Sequence, residues 1–189
     1  MESIVKIMGL PRAGTNAMNV LANLNFNNYV CNLRYGQIDF LGWKHSYAPN
    51  IDTINLIEKR SNIEIKFIFC FRDYEDWFDA INKRYSGSNK SSEFLDISFG
   101  YDGFLFNTPL GIEMYENVYD FYIKRVNSYI EFCNLHSNKG ILINYNELKD
   151  QEKLLDKLKD NLSLEKSFDT YTYLKKKISF NNEVTSIKI

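Results

Sequence analysis

The chain has 189 residues, 44% of them hydrophobic and 25% charged, with a formal net charge of -1. That length suits one domain, spanning residues 1–189, with a substantial core. The balanced charge excludes a general nucleic-acid or membrane-surface binder. The three cysteines (Cys31, Cys70, Cys133) have no CxxC spacing, so free thiols in a reducing compartment are expected rather than a disulfide framework. Glu2 and Lys6 interrupt the first apolar residues, and no uncharged apolar run approaches the ~20 residues of a membrane helix. A cytoplasmic protein is expected.

The apolar run at residues 4–8 predicts a strand that stops at Gly9. Gly9 and Gly14 then frame a loop with the G-x4-G spacing of a phosphate cradle, and an amphipathic segment follows at once. A nucleotide-hydrolysing loop of this kind carries lysine after its second glycine. Here that residue is Thr15, and the cation is Arg12, inside the loop. Ala17, Val20, Leu21 and Leu24 recur at helical spacing, and the Asn-rich residues 25–28 end the helix. Residues 29–33 predict a short strand. Trp43, Lys44 and His45 fall in an irregular stretch, after which Asp52 is expected to cap a short helix carrying Ile54 and Ile57.

Residues 65–71 are almost wholly apolar, as a strand covered on both faces requires. Arg72 and Asp73 follow, then a helix whose buried side is marked by Trp77, Phe78, Ile81 and Tyr85. Residues 86–92 read as a polar loop, and residues 93–108 are aromatic without a period that assigns them. A long helix is expected from about Pro109, carrying Met114, Val118, Phe121, Tyr122, Val126, Tyr129, Ile130 and Cys133. Residues 140–145 predict another core strand, followed by a helix with Leu148, Leu154, Leu155, Leu158 and Leu162. Residues 170–174 suit an edge strand, and Lys175, Lys176 and Lys177 open a polar tail. Strands alternating with helices predict a three-layer α/β fold with a mainly parallel sheet.

The loop Pro11-Arg12-Ala13-Gly14-Thr15-Asn16 resembles the 5'-phosphosulfate loop of the PAPS-dependent sulfotransferases, P-[RK]-[SA]-G-T-[TNS], and matches it at each position. The resemblance implies a P-loop-like topology, PAPS as the sulfuryl donor and PAP as the product. It makes Pro11, Arg12, Ala13, Gly14, Thr15 and Asn16 cofactor-binding residues, with Arg12 offsetting charge on the leaving phosphate. A plain turn between a core strand and a core helix is the alternative.

Arg72 after its apolar strand resembles the arginine of the family's 3'-phosphate segment, R-[DN]-P-x-[DA]-x-x-x-S. The family proline is Tyr74 here and the serine is Ala80. An ion pair of Arg72 with Asp73 or Asp76 is the competing reading. Residues 141–148 resemble the family's strand ending in R-Y-E-D-L, with Asn144 in place of its arginine and Tyr145 packing the strand end. Lys175–177 either close over the nucleotide or form a solvated run.

Of the two histidines, His136 is explained by a helix C-terminus. His45 and Lys44 lie where the family places a Lys and a His, and the resemblance makes both catalytic. His45 is expected to be the base, since imidazole titrates near neutrality. Lys44 is expected to help Arg12 stabilise the bridging oxygen of the leaving nucleotide. An extended backbone would point Lys44 and His45 to opposite sides, so only a turn admits both to the site. No metal-ligand spacing is present. The expected activity is therefore sulfuryl transfer to a hydroxyl of a small-molecule or glycan acceptor, with residues 86–92 and 94–106 lining the acceptor pocket. The alternatives are a nucleotide or small-molecule kinase, disfavoured by Thr15, and a non-catalytic phosphate-binding protein.

Overall fold

Strands β1 (Glu2–Gly9) and β3 (Ile63–Phe71) run side by side in parallel through the middle of the molecule. β2 (Tyr29–Cys31) flanks β1, and β7 (Gly140–Asn144) flanks β3, both also in parallel, giving the order β2-β1-β3-β7. This computed structural model describes residues 2–31, 40–85, 97–100, 103–108 and 110–174.

The pleat sends alternate residues to opposite faces, and both faces are covered. On one, Val5, Ile7, Ile68, Cys70, Ile141 and Ile143 pack with Met18, Leu21 and Ala22 of α1 (Thr15–Asn25). Leu154, Leu155, Leu158 and Leu162 of α5 (Gln151–Leu162) and Trp77 and Ile81 of α3 (Tyr74–Tyr85) belong to the same cluster. On the other face, Ile4, Met8, Ile65, Phe67 and Phe69 meet Ile54 of α2 (Ile51–Ser61) and Tyr129 and Phe132 of α4 (Val118–Leu135). The expected α/β architecture with a parallel sheet is therefore present. No helix among the described residues is long and apolar enough to cross a membrane.

Four expectations are corrected. No helix starts near Pro109: β4 (Ile97–Gly100), β5 (Gly103–Thr108) and β6 (Gly111–Tyr115) form a separate antiparallel meander. Met114 lies on its exposed side at 75% exposure, and α4 begins only after Asn117, whose side chain accepts from the Asp120 amide. Residues 170–174 form no strand. The Asn25 side chain bonds both backbone groups of Thr172, at 2.6 and 2.8 Å, in the manner of a neighbouring strand. α2 is capped by Asn50 rather than Asp52, since Asn50 accepts from the amides of Asp52 and Thr53. A short 3-10 helix (Tyr145–Lys149) comes between β7 and α5, held by a capping box of Asn144 and Glu147. Residues 32–33, 86–92 and 175–177 lie outside the described residues.

Candidate anion site

From β1 the chain passes to β2 on one side, then returns across β1 to β3 and on to β7. The direction of travel reverses between β1 and β3, and in open α/β sheets the crevice beyond the strand ends at such a point receives ligands. Gly9 pairs in register with Cys70, and Phe71 with Asn144. The segments leaving β1, β3 and β7 therefore emerge together. Arg12, Arg72 and Tyr145 are on those segments.

The loop after β1 needs both glycines. Gly9 has φ 154°, and a Cβ there would stand 2.1 Å from the carbonyl oxygen of Cys70. Gly14, at φ 87°, would drive a Cβ to 2.8 Å from the Tyr145 ring and 2.9 Å from Leu148. At Gly9 the obstacle is backbone, while at Gly14 the neighbours are side chains and the positive φ is what favours glycine. The Trp77 indole donates to the Pro11 carbonyl at 2.8 Å, tying the loop to α3. Arg12 takes the left-handed conformation, φ 64°, and its side chain is exposed. An arginine held there carries backbone strain of about 1–2 kcal/mol, of the kind that clusters at ligand-binding loops.

Helix α1 starts without a side-chain cap and without an acidic residue in its first turn. Among the described residues, the amides of Gly14, Thr15 and Asn16 meet no acceptor in the protein. Open N–H groups at the positive end of a helix attract an anion. The Ala13 amide is different, being used within the loop by the Leu10 carbonyl at 3.1 Å.

Arg12 and Arg72 line one cleft of about 310 Å³ together with Asp76, Asp79, Ala80 and Lys83. The position matching the family serine thus faces the same space as both predicted arginines. Arg72 is half-buried, with its guanidinium 4.4 Å from the centre of the Tyr145 ring, and its buried Nε has no hydrogen-bond partner. The competing ion pair is not formed. Asp73 accepts instead from the Asn144 amide group at 2.9 Å, and among the described residues no carboxylate pairs with Arg72 or Arg12. The Tyr122 hydroxyl fixes the Arg72 backbone by donating to its carbonyl at 2.8 Å.

Lys44 and His45 reach the loop from behind, on a turn rather than an extended strand. The turn is sewn to β1: the Gly9 amide donates to the Lys44 carbonyl at 2.8 Å. Lys44 Nζ donates to Asn16 Oδ1 at 2.8 Å. With its oxygen occupied, the Asn16 side chain presents its NH2 end away from Lys44. Burial, and then the charge of Lys6, hold the Lys44 ammonium below its ordinary range. His45 is 8% exposed, with Trp43 edge-on at 5.0 Å between ring centres. Its Nδ1 lies 2.6 Å from the Gly9 carbonyl oxygen. A carbonyl only accepts, so Nδ1 carries the hydrogen and Nε2 is the basic nitrogen.

The expectation of a histidine titrating near neutrality is corrected. Burial first, and the Lys44 charge second, push the His45 imidazole down to about 3. The ring is neutral at physiological pH.

No family model, curated protein or solved structure matches this chain. Among the described residues, no group of three or more His, Cys, Asp or Glu side chains is placed to hold a metal ion.

Two parts of the site were not read from the sequence as functional. Tyr145, expected only to pack the strand end, touches the Gly14 region and carries Arg72. Lys83 lines the cleft one helical turn beyond Ala80, a spacing visible in the sequence. The aromatic residues Phe104 and Phe106, expected in the acceptor pocket, are instead buried against Phe121, and Phe106 also lies 5.7 Å from Trp43.

Proposed function

We propose that this chain is a sulfotransferase, moving a sulfuryl group from PAPS to a hydroxyl acceptor, with a P-loop-like arrangement of β1, its loop and α1. The observation that carries the reading is the cleft that joins Arg12, Arg72 and Ala80. The two segments that resemble the family's 5'- and 3'-phosphate motifs meet there although sixty positions separate them. The open N-terminus of α1 and the unpartnered Arg72 Nε favour a polyanionic ligand. Thr15 in place of the nucleotide-hydrolysing lysine counts against a kinase.

In this reading the acceptor oxygen bonds to sulfur as the bond from sulfur to the 5'-phosphate oxygen breaks. The acceptor's proton passes to Nε2 of His45. The charge released on the 5'-phosphate falls to Arg12 and to the first amides of α1. His45 is a weak base in the free protein, but a nearby phosphate offsets the Lys44 charge and raises the imidazole's proton affinity. A carbohydrate acceptor and a cytoplasmic location belong to this proposal.

The second reading is an anion-binding protein without transferase activity, favoured by Ala80, which lacks the family hydroxyl, and by the weak basicity of the buried His45 ring. Thermal-shift titration with PAP, PAPS, ATP and ADP, with and without Mg²⁺, separates the readings. Stabilisation by PAP and PAPS, independent of Mg²⁺ and exceeding that by ADP, is expected of the sulfotransferase. Stabilisation only by ATP with Mg²⁺ would mean a kinase. Sulfuryl transfer to a panel of sugars then distinguishes the enzyme from the binding protein.

A further inference from the structure

Ala80 occupies the place where the family presents a hydroxyl, and its methyl group leaves room in the cleft. Helical side chains lean toward the N-terminus of their helix, so a residue covers the turn that precedes its own Cα. Lys83 stands three residues beyond Ala80, on the same side of α3, and lines the same cleft. Its leaning side chain therefore extends over Ala80 toward Arg72, which precedes the helix. Lys83 is exposed and makes no ion pair among the described residues, not even with Asp79 one turn before it.

We propose that Lys83 supplies the contact to the ligand's 3'-phosphate that Ala80 lacks, acting with Arg72. The inference rests on the sulfotransferase reading, and it assigns a binding residue that the sequence motif does not contain. The chemistry suits the place. A lysine brings a compact charge on a flexible stem and needs no fixed approach, whereas a serine hydroxyl must sit within a hydrogen bond of the phosphate. Asp76 and Asp79 face the same cleft. Against the three cations they lower affinity for a single phosphate and leave the site selective for a ligand with two.

Calorimetry with adenosine 3',5'-bisphosphate and adenosine 5'-phosphate tests this on the full chain, the Lys83→Ala and Lys83→Arg variants, and Arg72→Ala. Wild type is expected to prefer the bisphosphate. Lys83→Ala should weaken bisphosphate binding roughly five- to tenfold, leave the monophosphate unchanged and shrink this effect at high salt. Lys83→Arg should keep most of the preference. Because Lys83 is exposed, thermal unfolding of the two Lys83 variants should match wild type. An unchanged preference in Lys83→Ala, with loss of preference in Arg72→Ala, would overturn the role of Lys83 and leave the sulfotransferase reading standing. Equal affinity of wild type for the two nucleotides would overturn both.

Discussion

The ring of Tyr145 carries the Arg72 guanidinium at 4.4 Å from its centre, while its Cδ2 edge would lie 2.8 Å from a Cβ placed on Gly14. One side chain at the end of β7 thus sets the position of a cation after β3 and fills the space beside the loop after β1. Replacing Tyr145 with Leu should keep the apolar packing and release the guanidinium. A cation over an aromatic ring is worth about 0.5–2 kcal/mol, so bisphosphate affinity should fall roughly two- to thirtyfold. Calorimetry checks this, and unchanged affinity would show that Arg72 needs no such support.

Arg12→Ala removes the only side-chain charge of the loop from an exposed position. Loss of one preorganised donor to transition-state charge lowers turnover by about 10²–10³. The variant should fold as wild type does, and its melting temperature should be no lower, because the left-handed strain at Arg12 is shared by alanine. Steady-state transfer rates with PAPS are the measurement, and an unchanged kcat would remove Arg12 from the reaction.

The strand-loop-helix unit was legible because its signals are local: an apolar run, two glycines at fixed spacing, then helical periodicity. The same holds for β3 and Arg72. The meander β4–β6 was hidden because Leu110, Ile112 and Met114 are 69%, 65% and 75% exposed. Met114 and Val118 also have the i, i+4 spacing of a helix, and tertiary structure divides that pattern at Asn117. Arg125 illustrates a different limit. A charged residue in a helix predicts a solvated face, yet Arg125 is 0% exposed beneath the Tyr47 ring, 4.0 Å from its centre. Its partner Glu113 comes from β6, an element that the sequence did not reveal. Contacts of that kind depend on the assembled fold and leave no periodic trace.

That pair yields a stability prediction. Glu113 receives the Arg125 guanidinium and the Tyr115 hydroxyl, and it ties β6 to α4. Nε and Nη1 of Arg125 have no partner, so neutralising Glu113 leaves a fully buried charge uncompensated. Glu113→Gln should cost about 3 kcal/mol or more, equivalent to a melting temperature lower by roughly 6–12 °C in a domain of this size. The double variant Glu113→Gln with Arg125→Met should lose less than the single one, because the buried charge is gone. Thermal unfolding of both checks the order, and a milder effect in the single variant would refute it.

His45 makes stability pH-dependent in a stated direction. Its imidazole is held at about 3 in the folded chain and near 6.5 when unfolded. The depressed group favours the folded state above pH 6.5, where both states are neutral at this ring. As pH falls from 6.5 toward 3 the unfolded chain binds a proton that the folded one excludes, so the folding equilibrium weakens by up to tenfold per pH unit. Ordinary carboxylates add little between pH 6.5 and 5, which makes that window diagnostic of His45. His45→Gln should flatten the dependence there, because glutamine can still donate to the Gly9 carbonyl but takes up no proton. Urea unfolding at closely spaced pH values, for wild type and variant, is the measurement. Parallel pH profiles would mean that His45 is reached by water and protonates freely in the folded chain, and a base of ordinary strength would then stand behind the loop.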